Sequence, residues 1–199
     1  MISEELPMTF LGGTTATQPT PERLLSTVGN YELTSDEVAS FLLFWGSYRK
    51  LSAARHINRA IKRFMASTST LDLEDKLVDS IMGFEALFGF SGYRLAHYVS
   101  GLMGRTTSER VGIVELMDAA YVARSAITHG GSLESDSNWK TDSQKHVNDV
   151  QDYLRRCIKT VLCIGIESRD ELRSRAFRIA HDEEARQSLQ SSLPLWCFL

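Results

Sequence analysis

An arginine and a histidine, Arg124 and His129, are separated by four residues and followed by the glycine pair at positions 130 and 131. Arginine stays charged at any physiological pH, and its fork of N–H donors matches phosphate oxygens. Histidine gives or takes a proton near neutral pH. These two residue types supply much of what the cleavage of a phosphodiester without a metal requires.

A long amphipathic pattern over 108–129 predicts the helix that carries both residues. Its buried side is expected to contain Ile113, Leu116, Met117, Ala120, Ala123 and Ile127. Arg124 follows Ala120 by four positions, so its charge lies on or beside this apolar stripe, where it needs an ion-pair partner, a solvated cleft or an interface. A structural ion pair and a functional site both remain open. His129 lies about 140° around the helix from Arg124.

A second charge, Glu85, lies within the apolar stripe of a helix predicted over 71–88, four residues after Ile81. A carboxylate in this place requires a cation, which Arg94 or Arg124 could supply. The spacing does not distinguish an architectural ion pair from one that orients a catalytic arginine. We favour the architectural pair.

The composition is that of a globular protein, with 199 residues, 43% of them hydrophobic and 24% charged. A net charge of -3 argues against indiscriminate binding to nucleic acid but permits a local basic patch. Cys157, Cys163 and Cys197 lack CxxC spacing, so we expect reduced thiols and a cytoplasmic location. Acidic residues near the start argue against a signal peptide. No apolar run has the length of about 20 residues that a membrane span needs.

A local basic patch is predicted in the helix over 52–65. No acidic residue occurs between Val38 and Leu71, and Arg55, Arg59 and Lys62 recur at helical spacing opposite the apolar residues. This face is either an RNA contact or a solvated surface. Trp139, in the polar segment 132–143, could stack on a base, although a single exposed aromatic residue is usually incidental.

The remaining pattern is helical, with no stretch that alternates as a strand does. An irregular lead-in over 1–33 precedes a helical domain over 34–167, and a C-terminal helix and tail occupy 168–199. The further predicted helices cover 34–50, 93–103 and 144–167, and the first is expected to bury Val38, Phe41, Leu42 and Trp45. We therefore predict an all-α bundle of about five to seven helices. The histidines and cysteines form no known metal motif, and we expect no metal and no cofactor.

Several short motifs follow one another in the order of a known family. They are Ala60-Ile61-Lys62-Arg63-Phe64, Leu73-Glu74-Asp75-Lys76-Leu77-Val78, Gly83-Phe84-Glu85-Ala86-Leu87-Phe88-Gly89, Tyr93-Arg94-Leu95-Ala96 and the run from Ala120 to Gly130. Over about residues 40–167 this order resembles the HEPN superfamily, specifically its ApeA-like branch from prokaryotic antiviral systems. Ser125 stands where many active relatives carry Asn, Asp or His, and its hydroxyl can also hydrogen-bond phosphate.

The resemblance implies a helical bundle that dimerises, with the Arg–His motifs of both protomers facing one cleft. It also implies metal-independent endoribonuclease activity, used in abortive antiviral defence or as a toxin. Arg124 and His129 would be catalytic, and Ser125, Glu85 and Arg94 would support them. The alternative is a non-catalytic dimerisation or RNA-binding module of a larger defence or toxin–antitoxin system. An antitoxin, a sensor domain or another defence component is then a possible partner.

Overall fold

The computed structural model describes residues 34–51, 54–133, 139 and 142–193. Within these ranges the backbone forms eight α-helices and no strand, so the predicted all-α class is confirmed. The helices are α1 (Ser35–Leu51), α2 (Arg55–Ser69), α3 (Leu73–Phe88), α4 (Tyr93–Met103), α5 (Thr107–Thr128), α6 (Ser143–Ile164), α7 (Arg169–His181) and α8 (Glu183–Ser192). The lead-in over 1–33 and the tail from 194 onward lie outside the described residues.

The C-terminal segment contains two helices where the sequence predicted one. Asp182 ends α7 and begins α8, and its side chain accepts a hydrogen bond from the Ala185 backbone N–H at 3.0 Å. This is N-capping by an aspartate, which favours a new helix start over a continued helix. Hydrogen bonds from backbone N–H groups lower the pKa of Asp182 and keep the capping carboxylate charged.

Capping residues fix the ends of the two helices that carry the candidate residues. Asp72 caps α3 by accepting from two backbone N–H groups, and Gly89 ends it with a φ of 70°, in the left-handed region that glycine adopts freely. Thr106 and Glu109 form a capping box at the start of α5. The predicted boundaries of both helices are therefore reproduced to within two residues.

The core lies where α3 packs against α2, α5 and α6, and where α4 packs against α5 and α7. Its largest fully buried side chains include Phe84, Phe88, Leu77, Ile81, Leu102, Met117, Leu154 and Trp139. The predicted stripe of α5 is buried at Ile113, Met117, Ala120 and Ala123 and half-buried at Leu116 and Ile127. This packing fixes which side of α5 faces the rest of the helices.

The chain divides into two units, Met1–Val38 and Ala39–Leu199. Of the first unit the structure describes Thr34–Val38, where the Thr34 backbone N–H and hydroxyl both donate to Glu37 at 2.9 Å. The second unit contains all of α2 to α8. Helices α7 and α8 therefore share a unit with α2 to α6, whereas the sequence-based boundary separated them at position 168.

Helix α1 differs from its prediction. Val38, Phe41, Leu42 and Trp45 were expected to be buried, and each is between 37% and 61% exposed. From Ala39 onward the helix reaches the core through Phe44 and Leu51 instead. An apolar side predicts burial only where another element covers it, and the exposed side chains of α1 stack mainly on one another, as Phe41 does on Trp45.

One further expectation is wrong. Trp139 is fully buried and makes an edge contact with the ring of His146, so it is not an exposed stacking residue. Cys157 is a free thiol, as expected, and its burial raises its pKa.

Candidate functional site

Arg124 is held by Glu85, across the contact between α5 and α3. The Arg124 Nη2 donates to Glu85 Oε2 at 3.2 Å, and the two side chains are 23% and 24% exposed. The sequence left Arg94 and Arg124 as possible partners, and the structure selects Arg124. The cost of placing either charge on an apolar stripe is reduced because each has the other as its partner.

The Arg124 guanidinium has N–H donors that form no hydrogen bond with the described residues. Its Nε is buried and has no hydrogen-bond partner among the described residues. A guanidinium carries five N–H donors, and among the described residues the Glu85 carboxylate is the one acceptor that Arg124 contacts. The Arg124 side chain is 23% exposed, so an incoming oxyanion could reach the terminal Nη donors that Glu85 leaves unused, but not the buried Nε.

His129 lies at the C-terminal end of α5, one position past its last helical residue. Its backbone N–H donates to the carbonyls of Ser125 and Ala126, and its side chain is exposed. Gly130 follows with a φ of 87°, and the Gly131 N–H returns to the Ala126 carbonyl. The glycine pair thus ends the helix as predicted and leaves the imidazole at its tip.

The imidazole borders an open depression of about 380 Å³. Tyr121, Val122, Ser125 and Ala126 line the rest of it, so Ser125 lies with His129 and not with Arg124. Among the described residues no hydrogen bond or ion pair joins Arg124 to His129, and Arg124 does not line the depression at His129. They lie on opposite sides of α5, as the angle of about 140° between them requires.

The side of α5 that bears His129 is partly exposed. A second depression, of about 690 Å³, shares Val122 with the first and lies between residues of α5, from Gly112 to Val122, and the side chains of Trp139 and His146. Val122, at the junction, is 59% exposed, and His129 is exposed as well. The surface of α5 around Val122 and His129 is therefore accessible, and we refer to it as the open side of α5.

Arg94 and the predicted basic residues take other positions. Arg94 is exposed, and its guanidinium lies 5.9 Å from the ring centre of Phe90. Arg55, Arg59 and Lys62 are exposed on α2, opposite the buried Ile57 and Ala60. Sequence reasoning missed two arginines of α7, Arg169 and Arg173, and Arg169 lies near Arg55 and Arg59. Their spacing of four residues was a signal, but the thin apolar pattern of this segment did not show where it docks.

No protein-family model, curated protein or solved structure matches this chain. Within the described helices none is both long and apolar enough to cross a bilayer. Among the same residues no three side chains of His, Cys, Asp or Glu converge as a metal site would need. Fold and site together define an all-α protein with an Arg–Glu pair on one side of a central helix and a histidine on the other.

Proposed function

We propose that the chain is a metal-independent endoribonuclease of the HEPN type, active as a homodimer with a composite Arg/His site, in antiviral defence or as a toxin. The observation that carries this proposal is the Arg124–Glu85 pair. It fixes a partly exposed guanidinium with unused donors, on the same helix whose tip presents His129. The succession of HEPN-like motifs in α2 to α5 adds to it.

The proposed reaction uses the 2′-hydroxyl of RNA as the nucleophile. A base removes its proton, the oxygen attacks the adjacent phosphorus, and the bond to the 5′-oxygen breaks as an acid protonates that oxygen. The products are a 2′,3′-cyclic phosphate and a free 5′-hydroxyl. Arg124 would bind the phosphate and stabilise the charge that builds up on it. His129 would transfer protons, and Ser125 could hydrogen-bond a phosphate oxygen beside it.

The chemistry and the open side of α5 both support the proposed dimer. One histidine cannot act as base and acid at the same moment, whereas two protomers supply two copies of His129. The exposed Val122 lies one turn before Ser125 and two turns before His129, on the open side of this helix. A second copy packed on this side would bury Val122 and bring the two histidine-bearing helix ends toward each other.

Arg55, Arg59 and Lys62 are proposed to contact the RNA outside the site, and Arg94 to support binding near Glu85. An antitoxin or a sensor component is a further proposed partner. The alternative is a non-catalytic dimerisation or RNA-binding module. The observation that favours it is the separation of Arg124 from His129 on opposite sides of α5.

The deciding experiment incubates the purified chain with a mixed RNA pool in EDTA. Wild type, His129→Ala and the matched control His181→Ala, which removes an exposed histidine of α7, are compared. We expect the wild type and the control to leave 2′,3′-cyclic phosphate ends, and His129→Ala to lose about 10²-fold or more in rate. Cleavage that survives in His129→Ala would contradict the proposed site. RNA binding without cleavage by any of the three would support the non-catalytic module.

A further inference from the structure

Two arginines of α7 bind the last turn of α3, and two arginines of α2 lie near one of them, Arg169. Arg55 and Arg59 come from α2, and Arg169 and Arg173 from α7. Arg169 donates to the Ala86 carbonyl at 3.1 Å, and Arg173 donates to the carbonyls of Phe88 and Gly89 at 2.8 Å each. These bonds satisfy carbonyls at the helix C-terminus and fix the two α7 guanidinium groups in place.

The cluster has more positive charge than its surroundings neutralise. Asp170 pairs with Arg173 at 3.2 Å, while Arg55 and Arg59 form no ion pair or hydrogen bond with the described residues. Burial of Arg169, followed by the nearby positive charges of Arg173 and Arg59, lowers the pKa of its guanidinium. By contrast, Arg63 on the same α2 helix is neutralised by Asp79 at 2.7 Å.

The start of α2 adds to the imbalance. Its first turn contains Arg55 and His56 and no acidic residue, and Ala54 supplies no side-chain cap. Cations are unfavourable at a helix N-terminus, where the backbone N–H groups already present positive charge. His56 is buried with an Nε2 atom that has no described partner, and it lies close enough to Arg169 for that charge to help lower its pKa. An anion here would relieve both the repulsion and the uncapped turn.

The arginine cluster and the candidate site are both attached to the C-terminal end of α3. Glu85, which holds Arg124, lies one turn before Gly89, whose carbonyl holds Arg173. A depression of about 580 Å³ opens at this turn and is lined by Glu85, Gly89, Phe90, Ser91 and Arg94. The guanidinium groups of Arg173 and Arg94 lie 4.5 Å and 5.9 Å from the ring centre of Phe90. Positive side chains therefore continue from the cluster to the neighbourhood of Arg124.

We propose that Arg55, Arg59, Arg169 and Arg173 form a binding surface for the phosphate backbone of single-stranded RNA, which leads the strand past Phe90 and Arg94 to Arg124. This inference rests on the proposed nuclease function, because it gives the RNA its path to that site. Recognition is independent of sequence, since guanidinium groups contact phosphates and read no base edge. Arg173 and Arg94 bring their charge to the Phe90 ring, where a passing nucleotide would meet both.

The test measures the binding of a fluorescein-labelled, fully 2′-O-methylated single-stranded RNA by fluorescence anisotropy over a range of salt concentrations. This probe lacks the 2′-hydroxyl, so binding is read without cleavage. The test variant is Arg55→Glu/Arg59→Glu, and Arg169→Gln reports on α7. The matched control is Arg175→Glu/Arg178→Glu, which makes the same charge change on the opposite side of α7. Circular dichroism verifies the fold of each variant.

At about 0.1 M salt we expect the test variant to bind at least about tenfold more weakly than wild type, with a salt dependence reduced by about one to two phosphate contacts. Arg169→Gln should weaken binding less, and the control should bind as wild type does. Equal affinities of test and control variants would overturn the inference. A second result would also overturn it: inorganic phosphate stabilises the protein only when the four arginines are present, whereas RNA binding does not depend on them.

The two proposals fail in different ways. If the nuclease function is wrong, no RNA is cleaved in EDTA by the wild type, yet the arginine variants can still lose affinity for the 2′-O-methylated probe. If the binding surface is wrong, cleavage persists while the affinity of the arginine variants stays unchanged.

Discussion

The Arg124 guanidinium donates to the Glu85 carboxylate at 3.2 Å, and this pair joins two helices whose paired residues are 39 positions apart in the chain. Each side chain is about three-quarters buried, with exposed fractions of 23% and 24%. The pair therefore lies between a surface salt bridge, which contributes little, and a fully buried one, whose desolvation is costly. It can support the fold and orient Arg124 at the same time.

Removing one partner of this pair should destabilise the protein. Arg124→Ala leaves the Glu85 carboxylate unpaired and largely out of water, and we expect a loss of about 1–3 kcal/mol in the free energy of unfolding, measured with urea. Glu85→Ala/Arg124→Ala should lose less than the sum of the single changes. The Arg63–Asp79 pair is the control. It is shorter, at 2.7 Å, but Arg63 is 45% exposed, so its coupling should be smaller. Equal coupling in the two pairs would contradict a special role for burial.

The open side of α5 should be the site of self-association. Val122→Glu places a charge in the middle of this side, which lies away from the core and should leave the folded monomer intact. We expect light scattering to report a monomer and the RNA cleavage to be lost, although Arg124 and His129 are unchanged. Leu71→Glu introduces the same charge at a residue that is 95% exposed, before α3, and should change neither property. A Val122→Glu dimer with full activity would place the interface elsewhere.

Much of the fold could be predicted because its signals are local. Gly89, Gly104 and the pair after His129 end three helices at the predicted positions, and the stripe of α5 is buried where its periodicity placed it. These features depend on backbone conformation and on helical period, which a single sequence reveals. The same reasoning identified Glu85 and Arg124 as charges on apolar stripes that required partners.

The remaining features depend on contacts between distant segments. The apolar residues of α1 form a clear pattern, but periodicity does not state whether another element covers them. Trp139 lies in a polar stretch and is buried by α6, where the Trp139 carbonyl also accepts from the Ser143 hydroxyl. Arg169 and Arg173 reach the basic cluster because α7 docks on the other helices. This docking buries Leu172, Ala176 and Ile179. Asp182-Glu183-Glu184 was a readable start signal for α8 that the sequence reasoning passed over.

The docking of α7 on α4 should be sensitive to a single methyl group. A Cβ at Gly101 would lie 2.9 Å from the Ala180 Cα, so the backbone of α7 would have to move. We expect Gly101→Ala to lower the free energy of unfolding by about 1–3 kcal/mol. Gly112→Ala is the matched change in α5, where a Cβ meets no atom within 4 Å. It should raise stability by about 0.5–1 kcal/mol, because alanine loses less entropy in a helix. Urea unfolding of both variants tests the difference, and a neutral Gly101→Ala would mean that the two helices can separate at low cost.

His56 should make stability depend on pH below its ordinary pKa. Burial, followed by the positive charge of Arg169, lowers the pKa of His56 from 6.5 in the folded chain. The unfolded chain therefore binds a proton first as the pH falls, and this favours unfolding. The contribution of His56 is fully present above pH 6.5 and is lost as the pH falls toward the lowered folded value.

Urea unfolding of wild type and His56→Leu across this pH range, in a buffer without phosphate, measures the effect. The variant cannot titrate at this position, so its stability should fall less steeply below pH 6.5 even if leucine changes the stability at neutral pH. His181→Gln, which alters an exposed histidine of α7, should keep the wild-type slope. Adding inorganic phosphate should reduce the difference between wild type and His56→Leu, because an anion beside Arg169 offsets the charge that disfavours protonated His56. Identical slopes for wild type and His56→Leu would show that His56 binds its proton equally well in both states.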